Sequence, residues 1–474
     1  MIASIQAGLS ALRAFGKKME VKANNIANAN TSGFKADTST ISELPAQAVS
    51  TLSGTAQVGR GAALEGIAPL FEQGPIEPSG EPTNMAIGGD GFFVLRERGS
   101  GRLFYGRAGN FRFDRDGYLT NPEGYVVQGW RLDEEGEETG SLGDIRLTSR
   151  SSPPSPTSRI RMITNLDADA SAHGGALETA WDGSATSGSP MPDDAYEYRS
   201  TVKVYDTLGG THDITVYFDK TSPSQWEYVI TCNPSEDGRT GAAGSPCAGL
   251  LARGTITFGE GSGTITPVGG MTMETFNGTD WTDPANSANW TSASLDSSGY
   301  PEFTVEFQGT AGSSMSIALD LGTRSQDGSW VNDSLTTTQF SNPSATTYQA
   351  ADGYGAGSLL GMEVDENGTL IGKYSNGEII PLFRTALAGF QNPQGLRKEG
   401  GNLYRETRES GEALTARPGT NGFGLISPSS LEQSNVELAK EITDTIPLQR
   451  GYEANIKTIK TQDEMLGTIL DILG

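Results

Sequence analysis

The sequence predicts a multidomain, mainly β protein whose N- and C-terminal α-helices pair as a coiled coil around nested β domains of sandwich or barrel type. Three observations predict it. Apolar residues Ile2, Ile5, Leu9, Leu12, Met19 and Ile26 recur at alternating steps of three and four, with Gly16 and Ala23 in the small slots. The same rhythm returns at the other end through Leu431, Leu438, Ile442, Tyr452, Ile456, Ile459, Leu466, Leu470 and Leu473. That spacing makes a narrow seam, which suits a coiled coil better than the broad buried face of a globular helix. Between the ends, short runs follow a two-residue period, and 62 glycines mark frequent turns.

Residues 1 to about 30 read as one amphipathic helix ending in an Asn-, Ser- and Gly-rich segment, and residues 1–35 group with residues 425–474 as a terminal helical domain. Residues 36–75 lack a sustained period and form a connecting segment, partly extended. Residues 76–145 are β: Phe92-Phe93-Val94-Leu95 follows a glycine turn, and Asp114-Arg115-Asp116-Gly117 separates Phe111 and Phe113 from Tyr118-Leu119. With residues 355–424 they make an inner β domain. Residues 146–354 form an inserted outer β domain, possible to subdivide, with alternating strands through Val202 and Val204, then Ile214, Val216 and Phe218, then Ile256, Phe303, Val305 and Ile317. Pro447 interrupts the C-terminal pattern, and a kink or break near Thr443 is expected.

A net charge of −24 argues against nucleic-acid binding and fits a soluble exported chain. No run reaches the apolar length of a membrane span, and the N-terminus lacks the continuous apolar stretch of a cleavable signal. Cys232 and Cys247 are the only cysteines; they are a possible disulfide in an oxidising compartment, and too few for a zinc site with only His173 and His212 available. Arg112 to Glu123 superficially matches a calcium loop, but Arg112 stands where the first carboxylate belongs, so a hairpin turn is expected. The carboxylates between Asp133 and Glu138 read as a solvated loop. No nucleophile elbow or P-loop occurs, so no catalytic, cofactor or metal residues are assigned and the chain is not expected to be an enzyme. Polar residues Asn435, Thr445, Gln449 and Asp463 fall where the C-terminal repeat asks for apolar ones, a device that fixes register and partner. Helices with such narrow apolar faces are expected to order on assembly, with residues 2–26 and 436–473 poorly protected in the monomer.

Asn24-Asn25-Ile26-Ala27-Asn28 with Thr31-Ser32-Gly33-Phe34-Lys35 resembles the N-terminal signature of bacterial flagellar axial proteins, the rod, hook and hook-associated family. Leu431-Glu432-Gln433-Ser434-Asn435-Val436-Glu437-Leu438 and Gln449-Arg450-Gly451-Tyr452-Glu453-Ala454-Asn455 resemble its C-terminal signature. Tyr105-Gly106-Arg107-Ala108-Gly109-Asn110-Phe111 is similar to the hook and distal-rod branch, and Val204-Tyr205-Asp206-Thr207-Leu208-Gly209 to the outer domain of hook proteins. Pro447 and Gly451 depart from the family pattern, which usually has apolar residues or alanine there.

The resemblance implies a structural subunit of the hook, a curved flexible tube that transmits motor torque to the filament as a universal joint. It implies terminal helices in an inner tube and β domains outside. It also implies type III export without a cleavable signal and an extracellular location in the flagellum. The implied partners are further copies of the chain, distal-rod, hook-cap and hook–filament junction proteins, and the export apparatus; neither nucleic acid nor membrane is among them. Assembly-interface residues on this reading are the helix positions Ile2, Ile5, Leu9, Leu12, Met19, Asn24, Asn25, Ile26, Asn28, Leu438, Ile442, Gln449, Arg450, Tyr452, Asn455, Ile456, Ile459, Leu466 and Leu470, with Gly33, Phe34, Ser434, Asn435 and Val436 at the signatures. Among them Asn24, Asn28, Asn435 and Asn455 are expected to cap or bridge helices. The alternatives are a distal-rod or hook-associated axial protein and, from another class, a secreted β-rich adhesin or glycan-binding protein.

Overall fold

A computed structural model describes residues 2–51, 54–133, 136–185, 189–309 and 313–473, with side chains over 5–48, 57–133, 136–185, 189–309 and 313–468. It is mainly β with a long helix at each end, Ile2–Ala27 and Leu438–Leu473. The chain divides into two compact units, residues 1–150 with 359–474, and residues 151–358.

The first unit centres on an antiparallel sheet. Strands Thr369–Tyr374, Ile379–Thr385, Val126–Leu132, Phe92–Arg96, Leu103–Gly106, Leu403–Arg405 and Arg397–Gly400 lie in that order. Early and late parts of the chain therefore alternate across one sheet. Its central strands are covered on both faces, which explains the unbroken apolar run at Phe92: Phe93 and Leu95 enter one core with Met85, Phe111 and Val127, while Phe92 and Val94 enter another with Tyr105, Ala388 and Tyr404. Two further strand pairs tie the returning chain to the outgoing one, Met85–Gly88 with Leu425–Pro428 and Ile76–Pro78 with Ser430–Glu432. The connecting segment is more ordered than its composition suggests, because Asp37–Glu43 pairs with Ala62–Pro69. The N-terminal helix lies on this pair, burying Ala14, Val21 and Asn25.

In the second unit a six-stranded antiparallel meander runs from Tyr198–Tyr205 to Trp290–Ser292. It shares a core with a second sheet built around Arg159–Asp167, where Ile214, Phe218, Tyr228 and Ile230 meet Ile160, Met162, Phe303 and Ile317. The meander's other face carries a smaller core of Tyr217, Val229, Cys247 and Leu250, closed by Leu177 and Trp181. This second covering required no additional sheet, only a segment with a one-turn helix at Leu177–Ala180.

One local rule makes many of the turns. In Asp114–Gly117, Asn121–Gly124, Asp206–Gly209, Asp296–Gly299 and Asp365–Gly368 the glycine N–H donates to the carbonyl of the first residue. Each of these glycines has positive φ, between 72° and 91°. The Asp or Asn side chain then accepts from the backbone N–H one residue further on. The residue types supply both needs at once, an acceptor that mimics backbone and a residue without Cβ.

Three sequence expectations are corrected. Of the kink or break expected near Thr443, the break does not occur: Leu438–Leu473 is one helix through Pro447. Proline removes one donor and crowds the Thr443 carbonyl, a local cost that the helix bears here at an exposed position. Leu431 is not part of the helical repeat but lies in strand Ser430–Glu432, and Asn435 precedes the helix. Cys232 and Cys247 are free thiols. They belong to cores on opposite faces of the meander, which prevents their pairing.

Candidate functional site

The two helices pack against each other in opposite directions. Along the N-terminal helix the contacts are Gly8, Phe15 and Lys22, seven residues apart; along the C-terminal helix they meet Ile459, Gly451 and the pair Glu441/Asp444. A Cβ at Gly8 would stand 3.1 Å from Ile459, and one at Gly451 would stand 3.2 Å from the Phe15 ring. Small residues thus let the helices approach while a large neighbour fills each gap. Gly451, the departure from the family pattern, is the place that admits Phe15. Lys22 closes the seam, 3.1 Å from Glu441 and 2.9 Å from Asp444. Burial opposes its charge, but the two carboxylates outweigh burial and raise its pKa, while Lys22 lowers that of Asp444.

This contact line differs from the apolar stripe read in the sequence. Ile5, Leu12, Met19 and Ile26 are half-buried, and Leu9 is 44% exposed. On the C-terminal helix, Tyr452, Asn455, Ile459 and Leu466 share the helical phase of buried Leu448 and are half-buried. Leu438, Ile442, Gln449 and Ile456 share another side with Ile446, and all five are exposed, as is Arg450. Ile442 is 51% exposed and Leu438 48%. The C-terminal helix therefore has two apolar sides, one toward the N-terminal helix and one without a partner among the described residues. The side chains of Ile2 and Leu470 lie outside the described residues.

Next to the helices, both signatures meet at a buried ion cluster. Lys35 and Glu432, 397 positions apart, pair at 2.6 Å with both side chains fully buried. Lys35 also donates to the Glu72 carbonyl at 2.7 Å, and the Gly74 N–H donates to Glu432 at 2.8 Å. Arg107 lies 3.5 Å from the other Glu432 oxygen and donates to the Gly89 carbonyl. Burial pushes the pKa values of Lys35 and Arg107 down, opposed in each by Glu432. Gly33 completes the junction: its N–H donates to the Glu432 carbonyl, its φ is +71°, and a Cβ there would stand 2.5 Å from the Ala108 nitrogen. Only glycine fits.

Two asparagines lock the surrounding backbone. Asn25 both donates to and accepts from the backbone of Asp37, at 2.9 Å each way. Asn435 accepts from the Ala36 N–H at 2.7 Å and donates to the Leu70 and Glu72 carbonyls. Ser434 is buried and accepts from the N–H of half-buried Val436, just before the helix begins. Phe34 is buried beneath Lys398, which pairs with Asp37. The other expected bridges are local instead: Asn28 donates to Asn24 at the end of its own helix, and Asn455 donates to the Gly451 carbonyl one turn back. Lys35, Arg107 and Glu432 were missed as a set although each stands inside a recognised signature. The lone cations Lys35 and Arg107 in their motifs, against an acid in the C-terminal one, were the available signal.

Outside this junction the remaining sequence candidates are structural. Asp114 accepts turn N–H groups and pairs with Arg98. Glu138 pairs with Arg384 and Arg417, while Glu134 and Glu135 lie outside the described residues. Burial pushes the Cys232 thiol up to about 12 and the Cys247 thiol up to about 11, so neither is a thiolate near neutrality. His212 lies between Asp206 and Glu236, stacked on Phe307. Among the described residues no group of three or more His, Cys, Asp and Glu could hold a metal ion.

Comparison with known proteins covers the chain from end to end. Residues 5–35 match the family described as flagella basal body rod protein, and residues 86–159 the flagellar hook protein FlgE/F/G D1 domain. Residues 165–354 match the flagellar basal body protein FlaE D2 domain, and residues 427–472 the flagellar basal body rod FlgEFG protein C-terminal family. The chain is 32% identical to the flagellar hook protein FlgE of Borreliella burgdorferi over 485 aligned positions, covering 98% of each. It is 29% identical to that of Salmonella typhimurium, over 99% of this chain and 100% of the relative. With that of Escherichia coli the identity is 28% over 98% of each.

Proposed function

The chain belongs to the flagellar hook protein family, and from that premise we propose that it is the hook subunit whose terminal helices build an inner tube by packing against further copies of themselves. Its role as a structural component of the flagellum follows from full-length similarity to hook proteins. The observation that carries the assembly reading is the unpartnered stripe of Leu438, Ile442, Ile446 and Ile456 on a helix whose other side already packs on the N-terminal helix. Exposed apolar side chains at this spacing match the seam of a further helix. Leu9, Met19 and Ile26 supply a second partial stripe.

On this reading the ion cluster at Glu432 fixes where both helices leave the β unit, and the β units act as the outer parts of a curved, flexible tube that passes torque to the filament. Distal-rod, hook-cap and hook–filament junction proteins and the type III export apparatus are its partners, with export not requiring cleavage. It has no catalytic role. The rod reading is weaker, because rod-family matches are confined to the two ends whereas hook relatives align throughout. Electron microscopy of cells lacking the gene tests the proposal: basal bodies with a rod and no hook support it, and intact hooks refute it.

A further inference from the structure

We propose that Asn421–Gly422 is a site of spontaneous deamidation and isoaspartate formation in the folded chain, set apart by backbone geometry from every other Asn-Gly pair. The sequence has four such pairs, at Asn277, Asn367, Asn376 and Asn421. In each, the glycine nitrogen can in principle attack the asparagine side-chain carbonyl carbon. The N–H proton is lost to base, a C–N bond closes a succinimide ring, and the side-chain nitrogen leaves as ammonia. One water then opens the ring at either carbonyl, giving aspartate or isoaspartate. No oxidant or enzyme is needed. The folded backbone decides which pair reacts.

Asn421 alone of the four has a left-handed backbone, with φ 52° followed by φ 81° at Gly422. The Phe423 N–H donates to the Thr420 carbonyl at 2.9 Å, closing a turn of type I′ around the pair. The ring requires the peptide plane between the two residues to swing toward the side chain. From a type I′ turn that flip leads to type II′, which keeps positive φ at Asn421 and moves only glycine to negative φ, where it has no steric penalty. The flip therefore needs no change of φ at Asn421 and leaves the surrounding chain in place. Asn421 and Gly422 are exposed, and a Cβ on Gly422 would meet nothing within 4 Å, so the plane has room to turn. Among the described residues the Gly422 N–H has no acceptor.

The other pairs are held. The Gly368 N–H donates to the Asp365 carbonyl and the Gly377 N–H to the Tyr374 carbonyl, which points the attacking nitrogens away. The Asn277 side chain donates to the Ala288 carbonyl and accepts from the N–H and hydroxyl of Thr279, which immobilises the electrophile. A glycine N–H that must first leave a hydrogen bond is at a rate disadvantage of roughly fivefold to the free one at Gly422.

The test is peptide mapping by mass spectrometry, with isoaspartyl methyltransferase labelling, of the full-length protein held in mildly alkaline buffer. The Asn421 peptide is expected to gain label roughly fivefold faster than the other three in the folded chain, a preference that disappears in strong denaturant. N421Q removes that label and leaves the others unchanged. Equal or faster modification at Asn277, Asn367 or Asn376 in the folded protein overturns the proposal. So does survival of Asn421 over times at which the denatured chain deamidates there.

Discussion

Glu432 carries more of the junction than any other single side chain, because it holds Lys35, Arg107 and the Gly74 N–H in a fully buried place. Removing its charge leaves two buried cations without their counter-ion. Glu432→Gln is therefore expected to destabilise the unit formed by residues 1–150 and 359–474 by about 3–5 kcal/mol. Thermal unfolding followed by hydrogen exchange should place that loss in this unit and leave residues 151–358 protected. Adding Lys35→Met should recover part of the loss, since the remaining site then buries one charge fewer. At the helix seam the effect is smaller and depends on pH. Lys22 holds the Asp444 carboxyl below the usual range, so Asp444 contributes stability above its unfolded pKa and loses it as pH falls through the lower folded value. Asp444 is 46% exposed, so screening keeps the contribution to about 0.2–1 kcal/mol. Acid titration of the helix signal should show the loss, and Asp444→Asn should be correspondingly flatter in that range.

At the scale of elements, the C-terminal helix is asymmetric. One side, with Leu448 and Ile459, is occupied by the N-terminal helix; the other presents Leu438, Ile442, Ile446 and Ile456 to solvent. Charges placed on the second side need not disturb the first. Ile442→Asp combined with Ile446→Asp should leave the monomer's unfolding free energy within about 0.5 kcal/mol of the parent, as expected of exposed positions. The same variant should fail to polymerise. Sedimentation and negative-stain microscopy separate the two effects, and normal tubes from this variant would show that the stripe is not an assembly seam. Pro447 is exposed too. The helix continues through it, with Lys22 bridging Glu441 and Asp444 before it and Leu448 buried just after.

For the whole molecule, ends that are only half covered should gain order when copies join. Amide exchange across residues 2–26 and 436–473 is expected to be fast in soluble monomer and strongly slowed in the polymer, while the cores around Phe93 and Tyr228 stay protected in both. Equal protection of the helices before and after polymerisation would mean that assembly does not complete them.

The sequence by itself determined the helices at the two ends, the alternating strands between them, the Asx–Gly turns and the family. These are local properties: apolar period, turn chemistry and short motifs persist whatever the distant chain does. It also contained Lys35, Arg107 and Glu432 without revealing that they meet. Tertiary structure decided which helix face is used, placing Gly8, Phe15 and Lys22 in the seam and leaving the more apolar stripe outside. It put Asn435 in a backbone clamp ahead of the helix, and it set the two cysteines on opposite faces of one sheet. Period identifies an apolar side, but which side is buried depends on what the fold brings against it, and that partner is hundreds of residues away in the chain.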